Sequence, residues 1–93
     1  MKLKCEGNQI QFTFNSEIIV DLQKLKKHIS ADDFASTNLI SGLILKVSRR
    51  NKLIRIADKS PAGWSTVREY ESDDLASESD DEKRIRQAEN RAH

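Results

Sequence analysis

Cysteine, proline, glycine and aromatic residues are all scarce in this chain, and each scarcity removes a class of answer. There is one Cys, one Pro, three Gly and five aromatic residues in 93. A lone Cys5 excludes an internal disulfide and fits a reducing compartment. No long apolar run occurs: the most apolar stretch, residues 39–47, is broken by Ser41, Gly42 and Lys46, far short of the ~20 residues of a membrane span. The N-terminus lacks the apolar segment of a signal peptide. These features predict a soluble intracellular protein of the cytoplasm or nucleus, without a membrane partner. The rings Phe12, Phe14, Phe34, Trp64 and Tyr70 supply little bulk. A single small domain with a thin helical core is expected, of the kind a partner chain often completes.

Recognisable chemistry is equally scarce. The chain has no phosphate-binding glycine loop, no paired-glycine dinucleotide loop and no two-histidine metal spacing. His28 ends a lysine-rich segment and His93 is terminal, which suits solvated imidazoles better than catalytic ones. Cys5 has no base near it in sequence to activate it as a nucleophile. The acidic stretch from Glu69 to Glu82 lacks the Asp-x-Asp and glycine pattern of a calcium loop and reads as a self-repelling linker. The expectation is therefore a non-enzymatic chain, with no cofactor and no metal.

Charge in blocks is what the sequence does have. Lys46, Arg49, Arg50, Lys52, Arg55 and Lys59 form a basic segment that holds a single acid, Asp58. Ser60-Pro61-Ala62-Gly63-Trp64 follows, then the acids Glu69, Glu71, Asp73, Asp74, Glu78, Asp80, Asp81 and Glu82. The end is basic again, with Lys83, Arg84, Arg86 and Arg91, so a net charge of +1 hides strong local fields.

Periodicity gives an all-α fold: a small helical hairpin with a short third helix, a C-terminal helix and an extended N-terminal arm. In residues 1–15, Ile10, Phe12 and Phe14 alternate with polar residues as in a strand. With no second strand to pair, this segment is expected to be an extended arm over the helices. Asn15 or Ser16 can cap a first helix, in which Ile18, Leu22, Leu25 and Ile29 form a heptad-like seam. Ser30-Ala31-Asp32-Asp33 resembles a capping box. A second helix over roughly 33–57 then carries Ile40, Leu43, Ile44, Val47 and Ile54 on one side, with Asn51 among them, and Lys46, Arg49 and Lys52 on the other. Gly42 costs it about 1 kcal/mol relative to Ala. Pro61 and Gly63 end it, and Thr66-Val67-Arg68-Glu69 matches a further capping box for a third helix. The expected layout is a helical interaction domain at 16–70, an acidic linker at 71–79 and a charged helix at 80–93, opened by Ser79-Asp80-Asp81-Glu82. That last helix runs uncapped to residue 93, as in the front part of something longer.

Residues 51–92 carry a distinctive string. Asn51-Lys52-Leu53-Ile54, Ala57-Asp58-Lys59-Ser60, Gly63-Trp64, Thr66-Val67, Glu69-Tyr70, Leu75-Ala76 and Asp80-Asp81-Glu82-Lys83-Arg84 together resemble the gag-like first protein of DIRS-type tyrosine-recombinase retroelements and related uncharacterised animal proteins. Asn8 and Gln11-Phe12 with Phe14-Asn15 resemble that family's opening more loosely. The resemblance implies a role in particle or nucleoprotein assembly, or a domesticated remnant of one. A zinc knuckle often follows this segment in the family, and one Cys with two His residues cannot supply its ligands.

The expected function is self-association and scaffolding, with a homodimer favoured. The candidate contact residues are Ile18, Leu22, Leu25, Ile40, Leu43, Val47, Ile54 and Trp64. Trp64 is read either as a plug folded over the hairpin with Val67 and Tyr70 or as an anchor for a partner. The alternative is a nucleic-acid-binding or regulatory adaptor that uses Lys46, Arg49, Arg50 and Lys52 on helix two. Ser77 and Ser79 each precede an acid by three residues, a context acidophilic kinases favour.

Overall fold

The computed structural model describes residues 2–72 and 81–92. Four helices appear in chain order: α1 (Glu6–Lys27), α2 (Phe34–Lys59), α3 (Trp64–Ser72) and α4 (Asp81–Ala92). The all-α class, the hairpin, the short third helix and the C-terminal helix are as expected.

α1 and α2 form an antiparallel hairpin whose turn is residues 28–33. Its register is visible at three levels. The turn joins Lys27 to Phe34; midway, Asn51 Nδ2 donates to Ser16 Oγ at 3.2 Å and to the Phe12 carbonyl at 3.5 Å; at the open end, Asp58 reaches Lys4 and Cys5. Asn51 is buried in the seam, so sliding one helix along the other would strand its amide without these partners. At the turn, Asp33 itself is the N-cap of α2 and accepts from the Ser36 N–H at 3.0 Å. The capping box expected from Ser30 does not form, because the cap belongs one turn later.

The extended arm expected over residues 1–15 is corrected: α1 begins at Glu6, and only residues 2–5 precede it. Alternation at Ile10, Phe12 and Phe14 resembles a strand, yet helical geometry accommodates it equally. Ile10 and Phe14 lie four apart on one face, and Phe12 turns toward α2, where its carbonyl accepts from Asn51. With no second strand to satisfy extended backbone, helix closes every hydrogen bond locally. Ser16, expected as a cap, is mid-helix and donates back to the Phe12 carbonyl at 2.8 Å.

Ser60 caps the end of α2, and Gly63 at φ 57° turns the chain into α3. Only a residue without Cβ takes that angle without strain. α3 starts at Trp64, earlier than expected, and Thr66 is fully buried inside it with no partner for its Oγ1. The Thr66–Glu69 capping box is therefore not formed. Glu71 and Ser72, expected in a linker, belong to α3; the rest of that linker, with Ser77 and Ser79, lies outside the described residues.

α3 and α4 pack on each other and against the last turns of α2. Leu53, Ile56, Ala57, Val67, Tyr70, Ile85 and Ala88 form one buried cluster there. The core thus occupies one end of the molecule, here called the base. The turn end of the hairpin is two helices without a cover. Ile56→Ala, in the base, should cost about 2–5 kcal/mol by chemical denaturation. Leu45→Ala, on the bare half, should change dilute-protein stability by less than about 0.5 kcal/mol.

Candidate interaction surface

At the base, the charge blocks of the sequence are largely spent within the chain. Tyr70 is 2 % exposed, and its hydroxyl donates to Asp81 Oδ1. Asp81 Oδ2 pairs with Lys52 Nζ at 2.9 Å. Arg84, itself buried, lies over the Tyr70 ring with 4.2 Å between guanidinium carbon and centroid, and Lys52 Nζ lies 5.4 Å from the same centroid. Arg84 Nε and Nη2 donate to the Tyr70 carbonyl at 3.0 and 2.7 Å, and Arg91 Nη2 donates to the Glu69 carbonyl at 3.1 Å. Those carbonyls lie in the last turn of α3, and that of Glu69 also accepts from Ser72 Oγ at 2.8 Å. Two arginines seven residues apart on α4 therefore close the C-terminus of α3, where positive charge is favourable. Arg91 also pairs with the Glu69 carboxylate at 3.0 Å.

Burial works against the charge on Asp81, but the hydrogen bonds from Tyr70 and Lys52 outweigh it and hold its carboxyl below the usual range. Burial likewise opposes the charge on Lys52, and Tyr70 with Asp81 reverses that and raises its pKa. Lys52, expected on a nucleic-acid face, is thus turned inward as a structural cation. Of the other candidates, Arg49 sits 3.9 Å from Glu71, Arg50 lies 4.8 Å over the Trp64 ring, and Lys46 is exposed.

Trp64 is 39 % exposed. The plug role expected of it falls to Val67 and Tyr70, both deep in the base. Trp64 instead sits at the edge where cover on α2 stops. Leu39, Leu43, Lys46, Arg50, Leu53 and Ala57 follow one another at spacings of four and three, a single stripe along α2. Leu53 and Ala57 are buried in the base cluster, Arg50 stacks on Trp64, and Leu39 and Leu43 are bare.

α1 continues the bare region. Although it carries eight Ile, Val, Leu and Phe residues, none of its residues is buried. Asn15 lines one shallow cleft with Lys46, Arg50 and Leu53, which puts that side of α1 and the α2 stripe on one face of the hairpin. Ile18, Leu22 and Leu25 follow Asn15 at spacings of three, four and three along that face. Ile18 and Leu22 are half-buried and Leu25 is exposed. Of the expected contact residues, Ile40 and Ile54 are buried and Val47 is half-buried, on the side of α2 that faces α1. Ile18, Leu22, Leu25 and Leu43 are brought together on the outer face, with Trp64 at its border.

Sequence reasoning missed Tyr70, Arg84 and Asp58. The seven-residue spacing of Arg84 and Arg91 was the available sign for one of them. Asp58 closes the hairpin's open end: Oδ2 accepts from the Lys4 N–H and Oδ1 from the Cys5 N–H, each at 2.8 Å, with Asn8 Nδ2 at 3.3 Å. It accepts from the N–H groups of the two residues before Glu6, at a helix start whose N-cap, Cys5, makes no side-chain cap bond. Among the described residues, no helix is long and apolar enough to cross a membrane and no His, Cys, Asp and Glu group is placed to hold a metal.

No protein-family model matches the chain, and neither a curated protein nor a solved structure shows significant similarity to it.

Backbone hydrogen bonds from Lys4 and Cys5 hold the Asp58 carboxyl below its ordinary range. Its contribution to stability is complete above the unfolded value near pH 4 and fades as pH falls through the lower folded value. Asp58→Asn should therefore lower the melting temperature at pH 7, and the gap to the parent protein should narrow as pH falls below the ordinary carboxylate range of about 4. Trp64→Ala should cost about 1 kcal/mol for the lost Arg50 stacking and partial burial, with the helical circular-dichroism spectrum retained.

Proposed function

We propose that this chain is a non-enzymatic self-association module of a gag-like, retroelement-derived protein. The observation that carries the reading is α1, a 22-residue helix rich in large apolar side chains with no residue buried. A helix must bury its apolar stripe against something. α2 covers one side of α1, and the next stripe of Ile18, Leu22 and Leu25 lies open beside Leu39 and Leu43.

A second copy fits that face by charge as well as by hydrophobicity. Helical spacing places Asp21 at the α1 edge of the stripe, beside Leu25, and Lys46 and Arg50 within the α2 stripe itself. Asp21 and Lys46 stand at the same level of the hairpin, by the register of Ser16 against Asn51. A two-fold axis along the hairpin lays α1 of one copy over α2 of the other and sets acids against bases twice. The product is a four-helix arrangement at the turn end, with the two bases outside it. The retroelement origin rests on the resemblance of residues 51–92 alone.

The alternative, a nucleic-acid-binding or regulatory adaptor using helix two, has less support. Lys52 is engaged by Asp81, Arg49 lies near Glu71 and Arg50 stacks on Trp64.

Sedimentation equilibrium of the parent chain should give a dimer in the micromolar range. Asp21→Lys should shift it toward monomer by about tenfold in dissociation constant, and adding Lys46→Glu to Asp21→Lys should restore it. A monomer at every concentration, with the helical spectrum intact, rejects the self-association reading.

A further inference from the structure

A cleft of about 550 Å³ opens at the base, on the side of the molecule away from the bare hairpin face. It lies between the residues that precede α1, the last two turns of α2 and the first turn of α4. Its α2 wall is set by spacing: residues 52, 55, 56 and 59 recur at three, one and three and share one helical face. Five cations line it: Lys2, Lys4, Lys52, Arg55 and Lys59.

Three carboxylates also line it, but two are already engaged. Both Asp58 oxygens accept from the backbone and side chain at the start of α1. Both Asp81 oxygens are held, one by the Tyr70 hydroxyl and one by Lys52. Lys52 is accordingly neutralised. Asp58 keeps its negative charge, because its donors are uncharged N–H groups, and with Glu82 it stands against Arg55, Lys59, Lys2 and Lys4. Among the described residues no salt bridge joins these four cations to a carboxylate, and cations outnumber carboxylates five to three along the cleft. Charge that is locally positive, in a cleft of small-molecule size, is an anion site by electrostatics. The floor is apolar, with Ile56 and Ile85 buried beneath it. Arg55 presents a planar fork suited to two oxygens of one phosphoryl group, and the lysines act as point charges around it.

The geometry points to this cleft as a binding site for a small organic polyphosphate, its phosphoryl groups on Arg55, Lys59, Lys2 and Lys4 and its body over the Ile56–Ile85 floor. The site is complete within one chain and independent of the hairpin face, so it stands or falls separately from self-association. A ligand there would bridge the start of α1, the end of α2 and the first turn of α4.

Isothermal titration calorimetry of the full chain at low salt tests it, with ATP, inorganic tripolyphosphate and adenosine as probes. ATP and tripolyphosphate should bind once per chain, and adenosine should give no heat. Arg55→Ala with Lys59→Ala should weaken both by about tenfold or more. Lys26→Ala with Lys27→Ala, which removes equal charge at the hairpin turn, should change them by less than about twofold. Circular dichroism checks that both double variants stay helical. No binding of either phosphate, equal weakening by the two double variants, or binding of adenosine as tight as ATP overturns the proposal. Retained binding in Asp21→Lys shows that the cleft works without the dimer.

Discussion

Everything at the base hangs on the Tyr70 side chain and the ions around it. Its ring is enclosed by the cations of Lys52 and Arg84, and its hydroxyl meets Asp81. The elements thereby tied are α2, α3 and α4. A buried ion pair gains little unless its other hydrogen bonds are met. Here Asp81 has donors at both oxygens, and Arg84 satisfies a carbonyl at the end of α3. The acidic and basic blocks are consequently the means by which a nine-residue and a twelve-residue helix, each too short to persist alone, are fixed to a longer one.

The clamp also decides where the molecule stops. α3 reaches along α2 only as far as Trp64 and Arg50, so the apolar stripe is buried on one side of that border and open on the other. Residue type alone does not set the border, since Leu53 and Leu39 stand two heptads apart in the same periodic position, one buried and one exposed. A face that loses its cover there, with Asp21 at its α1 edge and Lys46 and Arg50 on its α2 side, is the basis of the proposed pairing. Asn51, bonded across the hairpin just on the base side, holds the register that aligns those edges.

The fold class was legible because apolar residues recur at helical spacing in α2 and Pro61 with Gly63 marks its end, although the caps expected at Asn15 or Ser16, Ser30 and Thr66 do not form. The first turns of α1 were not, because Ile10, Phe12 and Phe14 satisfy two periods at once and the choice between them is made by α2. The outer face was half legible. Spacing grouped Ile18, Leu22 and Leu25 on one stripe of α1, but spacing alone does not say which of two apolar stripes on a helix faces its neighbour. Trp64 and Tyr70 were hardest to tell apart. Both are aromatic and six residues apart, and only the placement of α4 buries Tyr70 while leaving Trp64 at the border. Lys52 illustrates the same point for charge: its partner is 29 residues away at Asp81, beyond any local pattern.

The central claim is that the turn half of the hairpin is unfinished in a single chain and is completed by another. Amide hydrogen exchange across a dilution series reads this residue by residue. Protection of residues 17–47 should rise with protein concentration, while Leu53, Ile56, Val67 and Tyr70 stay equally protected throughout. Protection in 17–47 that is as high as at the base and independent of concentration would contradict it.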